Sequence, residues 1–229
     1  MPRVEGWIRA LVEHLSRQWL VHLAGGVAVM FAMMLLGFGL LLAYVAIFGS
    51  TMLFAALKME SMALVAFFGI GALGSLLLGI LHLAACGLWL GWLRIATLRE
   101  RGRSEDWHAL GWPLHHPVRV VGFGLVVFFA VLVSAGMFYL PLIFLGPWLL
   151  LSAVSLAADD VGLIAALGRG WRRCGQAYGA LLLVSAVCTF CAAFLYFWPL
   201  VGPAFAAALV TASAVAVHES LAREEAPGR

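Results

Sequence analysis

The densest group of reactive side chains lies in "SLAADDVGLIAALGRGWRRC", residues 155–174, where Asp159 and Asp160 precede Arg169, Arg172 and Arg173. Two adjacent carboxylates could bind a cation. With the arginines they could also hold a lipid headgroup or a cytosolic partner, and this is the contact surface we expect. Aspartate is also among the best acceptors for the unpaired N–H groups that open a helix, and arginine suits the closing end of the helix dipole. Capping is therefore the favoured role for the carboxylates. His82 and Cys86 stand one helical turn apart, and Cys188 and Cys191 form a C-x-x-C. Their geometry permits a metal or haem, but cysteine inside an apolar helix is usually a small packing residue. His108, His115 and His116 read as a solvated group before Pro117. No metal and no cofactor is expected at either place.

The chemistry that is missing narrows the function. A Gly-x-Ser-x-Gly elbow and a phosphate loop are absent, and "HESLA" from His218 lacks a zincin's second histidine because Ala222 stands there. No Asp, Glu, Lys or Arg falls well inside a long apolar run. Intramembrane ionisable groups normally mark proton pathways and catalytic sites, so the chain is not expected to be an enzyme.

The elements that carry these residues are membrane helices. The chain has 229 residues, 64% hydrophobic and 11% charged, and its mean hydropathy is +1.04. About 20 apolar residues span a bilayer. The apolar blocks predict six spans, at about 20–48, 61–93, 118–140, 142–158, 177–198 and 204–221. Pro141, Gly146 and Pro147 break the block from 118 to 158 into a hairpin. With six spans, all thirteen arginines fall on one side, and Lys58 and Glu60 on the other. Arginine-rich loops stay cytoplasmic, so both termini are predicted there. Tryptophan prefers the headgroup level, which places Trp171 at the inner interface and Trp148 at the outer. A cleaved signal peptide is not expected, because the first apolar run is too long. The class is an all-α, polytopic helical bundle, read as one membrane domain over residues 1–229.

Shorter helices should lie in the inner interface. Residues 3–18 place Ile8, Val12 and Leu15 on one face and Arg9, Glu13 and Arg17 on another. "SEDWHALGWP" predicts a second, capped by Ser104 and ended by Gly111 and Pro113, and the stretch from Asp159 a third, stopped by Gly175. Packing between spans is signalled by small residues at four-residue spacing, which let helix backbones approach closely. Gly71, Ser75 and Gly79, then Gly87 and Gly91, form one stripe; Ala208, Ala212 and Ala216 form the other. Contact within the bundle is favoured over homodimerisation.

A span, then "ADDVGLIAALGRGWRRCGQAYG", then a closing hairpin with Trp-Pro at its turn resembles uncharacterised bacterial membrane families of about six helices. These are related to the membrane domain that accompanies some glycerophosphodiester phosphodiesterases. The resemblance covers about the last ninety residues and implies fold and topology, while the catalytic domain of those enzymes is absent from this sequence. More distantly, the cytoplasmic helix is similar to the coupling helix of transporter permeases. The fuller permease signature, an acidic residue and two alanines ahead of a fixed glycine, is not matched. The expected function is a non-enzymatic scaffold or assembly factor of a bacterial cytoplasmic (inner) membrane, multi-pass. It would bind lipids or a protein partner through a basic cytoplasmic face, with no nucleic acid; the alternative is a transporter's permease subunit.

Overall fold

The structure, a computed structural model, describes residues 4–103, 107–137, 140–195 and 201–224. It is all-helical over those residues. The elements are α1 (Val4–Ala56), α2 (Glu60–Glu100), a 3-10 turn (Trp107–Gly111), α3 (Trp112–His115), α4 (Pro117–Ala135), α5 (Leu140–Ala158), α6 (Leu163–Leu195) and α7 (Val201–Glu224). Four stretches are long and apolar enough to cross a membrane: Ile8–Ala56, Glu60–Glu100, Pro117–Ser134 and Ala204–Arg223. Phe144–Ala158 is a shorter apolar helix. The chain is thus a helical membrane protein by length and composition.

Two compact units are present, Met1–Met30 with Cys86–Arg229, and Phe31–Ala85. In the second, the far half of α1 and the first half of α2 meet at a turn in which Lys58 takes a left-handed φ of 55°. The Met59 N–H there reaches back to the Phe54 carbonyl, closing the helix in the manner of a Schellman cap. Phe38, Leu41, Phe68 and Leu73 are exposed on this unit, a surface that suits lipid and not water. Close approach occurs at Gly74, where an added Cβ would lie 3.1 Å from the Ala43 Cβ. Gly79 faces open space, and Gly71 has only the Ile47 side chain at 3.9 Å.

The first unit holds the core. Leu90, Leu93, Ala96, Phe123, Val154 and Ala157 are buried together with Ala214 and Val215. Ala208, Ala212 and Ala216 are buried on α7. Gly87 and Gly91 pack against Pro113 and Leu110.

Three local expectations need correction. Gly175 does not stop the third interfacial helix, because α6 runs unbroken from Leu163 to Leu195. A mid-helix glycine costs only about 1 kcal/mol relative to alanine, and no proline follows before Pro199 to force a break. Gly111 and Pro113 do not end the second short helix either. The 3-10 turn passes into α3, where the first-turn proline is tolerated because its missing N–H would be unpaired anyway. Residues 104–106, with the proposed Ser104 cap, lie outside the described residues. Trp148 and Trp171 do not occupy opposite interfaces, since their rings meet edge to face at 6.0 Å. The cause is that α6 turns back along α5: a Cβ on Gly170 would lie 2.1 Å from the Ser152 Oγ.

α1 is interrupted near its start. Gln18 has φ −126° and ψ 19°, outside helical values, so the helix kinks there. This is where the amphipathic pattern gives way to the apolar run.

Candidate functional site

The polar residues of the first unit gather into two connected networks built on the ends of α2, α5 and α7. α5 closes at Ala158, and its last carbonyls need donors. Arg94 Nη1 donates to the Ala157 carbonyl at 2.9 Å and Arg101 Nη1 to that of Ala158 at 3.3 Å. The chain then turns through Asp160 at φ 52°, a left-handed conformation that Asp tolerates better than most side chains.

Asp159 is the hub of the first network. Its Oδ1 accepts from Arg101 Nη2 at 2.9 Å, and its Oδ2 accepts from Arg169 Nη1 at 3.2 Å. Arg173 Nη1 and His218 Nε2 lie 3.8 and 3.7 Å from the same oxygen. Arg101 also donates through Nε and Nη2 to Glu219 Oε1 at 3.0 and 2.8 Å. Arg173 Nη1 stands 2.8 Å from the His218 ring nitrogens, and since arginine can only donate, the nitrogen it bonds must accept. Burial opposes the Asp159 charge, but bonding to His218 and Arg101 outweighs it and holds the carboxyl well below the usual carboxylate range. Burial likewise opposes the Arg101 charge, and the bonds to Glu219 and Asp159 more than restore it.

Asp160 serves a separate, more exposed pair with Arg119. That hydrogen bond holds its carboxyl below the ordinary value. Nearby, Arg94 lies over the Trp112 ring at 5.5 Å and Trp112 stacks on His116 at 4.8 Å, the geometry of a cation–π contact.

Capping is therefore not where these carboxylates go. α6 opens at Leu163, which puts Gly162 in the capping position, and the aspartates bond the guanidinium groups of Arg101 just after α2, Arg119 on α4 and Arg169 on α6 instead. Of the five predicted contact residues, Asp159, Arg169 and Arg173 come together, while Asp160 faces Arg119. Arg172 is exposed and lines a hollow of about 200 Å³ with Arg169, Arg173 and Gln176.

Sequence reasoning missed the second network. Glu100 Oε2 accepts from His14 Nδ1 at 2.9 Å and Gln18 Nε2 at 3.2 Å, and its Oε1 accepts from Arg223 at 3.2 Å. His14 Nε2 and His22 Nε2 share a hydrogen bond of 2.8 Å. The available signal was His14, Gln18 and His22 at four-residue spacing on one helix face.

The cysteine candidates form no described site. Cys86 and Cys174 are buried and in no disulfide, and burial pushes the Cys174 thiol up. The side chains of Cys188 and Cys191 lie outside the described residues. His108 and His115 are exposed. No group of three or more His, Cys, Asp and Glu side chains suited to a metal occurs among the described residues. Comparison of the chain with family models, curated proteins and solved structures finds no match.

Proposed function

We propose that this chain is a non-enzymatic scaffold or assembly factor of a bacterial cytoplasmic membrane, holding an anionic lipid headgroup or an acidic partner segment through Arg169, Arg172 and Arg173. The observation that carries the reading is a surplus of positive charge at the hollow. Around Asp159 and Glu219 stand Arg101, Arg169 and Arg173, with Arg172 added at the hollow's rim. Four guanidinium groups thus stand against two carboxylates, and a phosphate or carboxylate from outside would offset the excess charge. Guanidinium groups suit that task because their planar fork matches such anions.

Six crossings with both termini cytoplasmic keep every arginine on one side, in accord with the positive-inside rule. α4 and α5 each have 19 residues, a length of about 28 Å that matches one leaflet-to-leaflet crossing.

The test is recovery of the protein in a gentle detergent, with identification of co-purifying proteins and lipids, for the natural chain and Arg172→Glu. Arg172 is exposed and carries no burial cost, so the variant should fold and insert normally while losing an acidic partner or anionic lipid. Unchanged recovery in Arg172→Glu would refute the reading. A co-purifying ATPase would instead make the chain a permease subunit.

A further inference from the structure

Arg169, Arg172, Arg173 and Gln176 recur at helical spacing on one face of α6 and line the hollow of about 200 Å³. Arg172 and Gln176 are exposed. Arg169 and Arg173 belong at the same time to the Asp159 network, because Asp159 Oδ2 accepts from Arg169 Nη1 at 3.2 Å and lies 3.8 Å from Arg173 Nη1. The Asp159 and Arg173 side chains are only 13% and 8% exposed, so this carboxylate is a fixed counter-ion behind the hollow. An anion arriving from solvent meets two guanidinium groups already engaged with it.

The donor set narrows what that anion is. Three guanidinium groups and an amide offer more N–H donors than the two oxygens of a carboxylate take, whereas the three terminal oxygens of a phosphomonoester give one acceptor to each guanidinium. Charge agrees. Arg101, Arg169, Arg172 and Arg173 stand against Asp159 and Glu219, a surplus of two, and His218 accepts from Arg173, so its ring is neutral. A phosphomonoester carries about −1.5 to −2 near pH 7.

Resting on the reading of this face as an anion site, we propose that the hollow binds the phosphate of a phosphomonoester and that Asp159 is its built-in competitor. Phosphate and carboxylate share Arg169 and Arg173, so each weakens the other's hold. Arg101 acts in the opposite sense. It does not line the hollow, but its bond to Asp159 Oδ1 at 2.9 Å draws the carboxylate's charge away from Arg169 and Arg173. Since Arg101 also bonds Glu219 on α7, occupancy of the hollow is coupled to the junction of α2, α5 and α7.

Calorimetric titration of the purified full chain in neutral detergent micelles tests this, with dioleoyl phosphatidic acid, dioleoyl phosphatidylglycerol, glycerol 3-phosphate and a glutamate-rich peptide as ligands. The natural chain should bind phosphatidic acid more tightly than phosphatidylglycerol or the peptide. Asp159→Asn should bind it about tenfold more tightly, the order expected for removing a like charge held on the same guanidinium groups. Arg101→Gln should bind it about threefold more weakly. Damage to the fold would weaken both variants, so opposite signs are the mark of competition, and melting temperatures without ligand check that each variant is folded. Binding of glycerol 3-phosphate as strong as that of phosphatidic acid would support a free phosphomonoester as the source, and binding of the lipid alone would support a headgroup. Equal binding of the two lipids, or a preference for the peptide, would overturn the phosphomonoester. A folded Asp159→Asn that binds no more tightly, with binding still lost in Arg172→Glu, would overturn the competition and leave the anion site standing. If Asp159→Asn does not fold, unchanged or tighter binding by Arg101→Gln overturns the competition instead. Undiminished binding in Arg172→Glu would remove the anion site and the proposal with it.

Discussion

Asp159→Asn separates a helix cap from an ion-pair hub, because the two roles demand opposite outcomes. As a cap, asparagine is about as good as aspartate, and the substitution would cost almost nothing. As the hub, the residue loses its charge and turns an amide N–H₂ toward guanidinium donors. It accepts directly from Arg101 and Arg169, and Arg173, only 8% exposed in its side chain, lies 3.8 Å from it. Breaking a buried pair from one side costs about 3–5 kcal/mol. Arg101 and Arg169 are 28% and 39% exposed and regain water, which reduces the figure to about 3 kcal/mol. Reversible unfolding in mixed micelles measures the loss, and a double-mutant cycle with Arg101→Gln should give a coupling of about 1 kcal/mol or more. The pH dependence has a definite sign. The folded carboxyl lies below its ordinary value of 3.8, so its stabilisation is whole above about pH 4–5 and drains as pH falls toward the folded value. The natural chain should lose stability in that acid window, and Asp159→Asn should lose less. An Asn variant within about 0.5 kcal/mol of the natural chain, with the same acid profile, would refute the hub.

Asp160→Asn should be far milder than Asp159→Asn, since Asp160 is 55% exposed and asparagine tolerates its left-handed backbone; comparing the two melting temperatures checks the ranking. Gly170→Ala should destabilise by about 1–3 kcal/mol, the cost of overpacking, because its Cβ would meet the Ser152 Oγ at 2.1 Å and the Ser152 backbone N at 2.7 Å. If Ser152→Ala does not relieve part of that loss, the contact between α5 and α6 is misplaced. Reporter fusions at Arg103 and Arg173 should read cytoplasmic and one near Lys58 should not; a periplasmic signal at Arg173 would remove the hairpin of α4 and α5.

Helix positions were legible in the sequence because apolar runs and prolines act locally. The runs predicted from 118–140, 142–158 and 204–221 fall on α4, α5 and α7, and the expected boundary near residue 18 is the non-helical Gln18. The partners of the charged residues were not legible. Asp159 looked like a cap because Asp before a helical pattern usually is one, and the local pattern holds no trace of Arg101, 58 residues earlier in the chain. Glycine was misread in the opposite direction. Gly175 looked like a stop in isolation, yet the apolar residues after it carry α6 onward.

The kink and the second network explain one another. His14 and His22 are eight residues apart, about 12 Å along a straight helix axis, yet their Nε2 atoms lie 2.8 Å apart. Gln18 sits midway, where the helical backbone is interrupted, and its amide N–H is directed to Glu100 at 3.2 Å. Glu100 also accepts from His14 and from Arg223 on α7. One carboxylate at the end of α2 thus ties together the segment before the bend, the bend itself and the closing turn of α7. Glu100→Gln should weaken all three contacts at once. Gln18→Leu removes only its own and should cost less. Measured by unfolding in mixed micelles, equal losses in the two variants would mean that the kink is held by something other than Glu100.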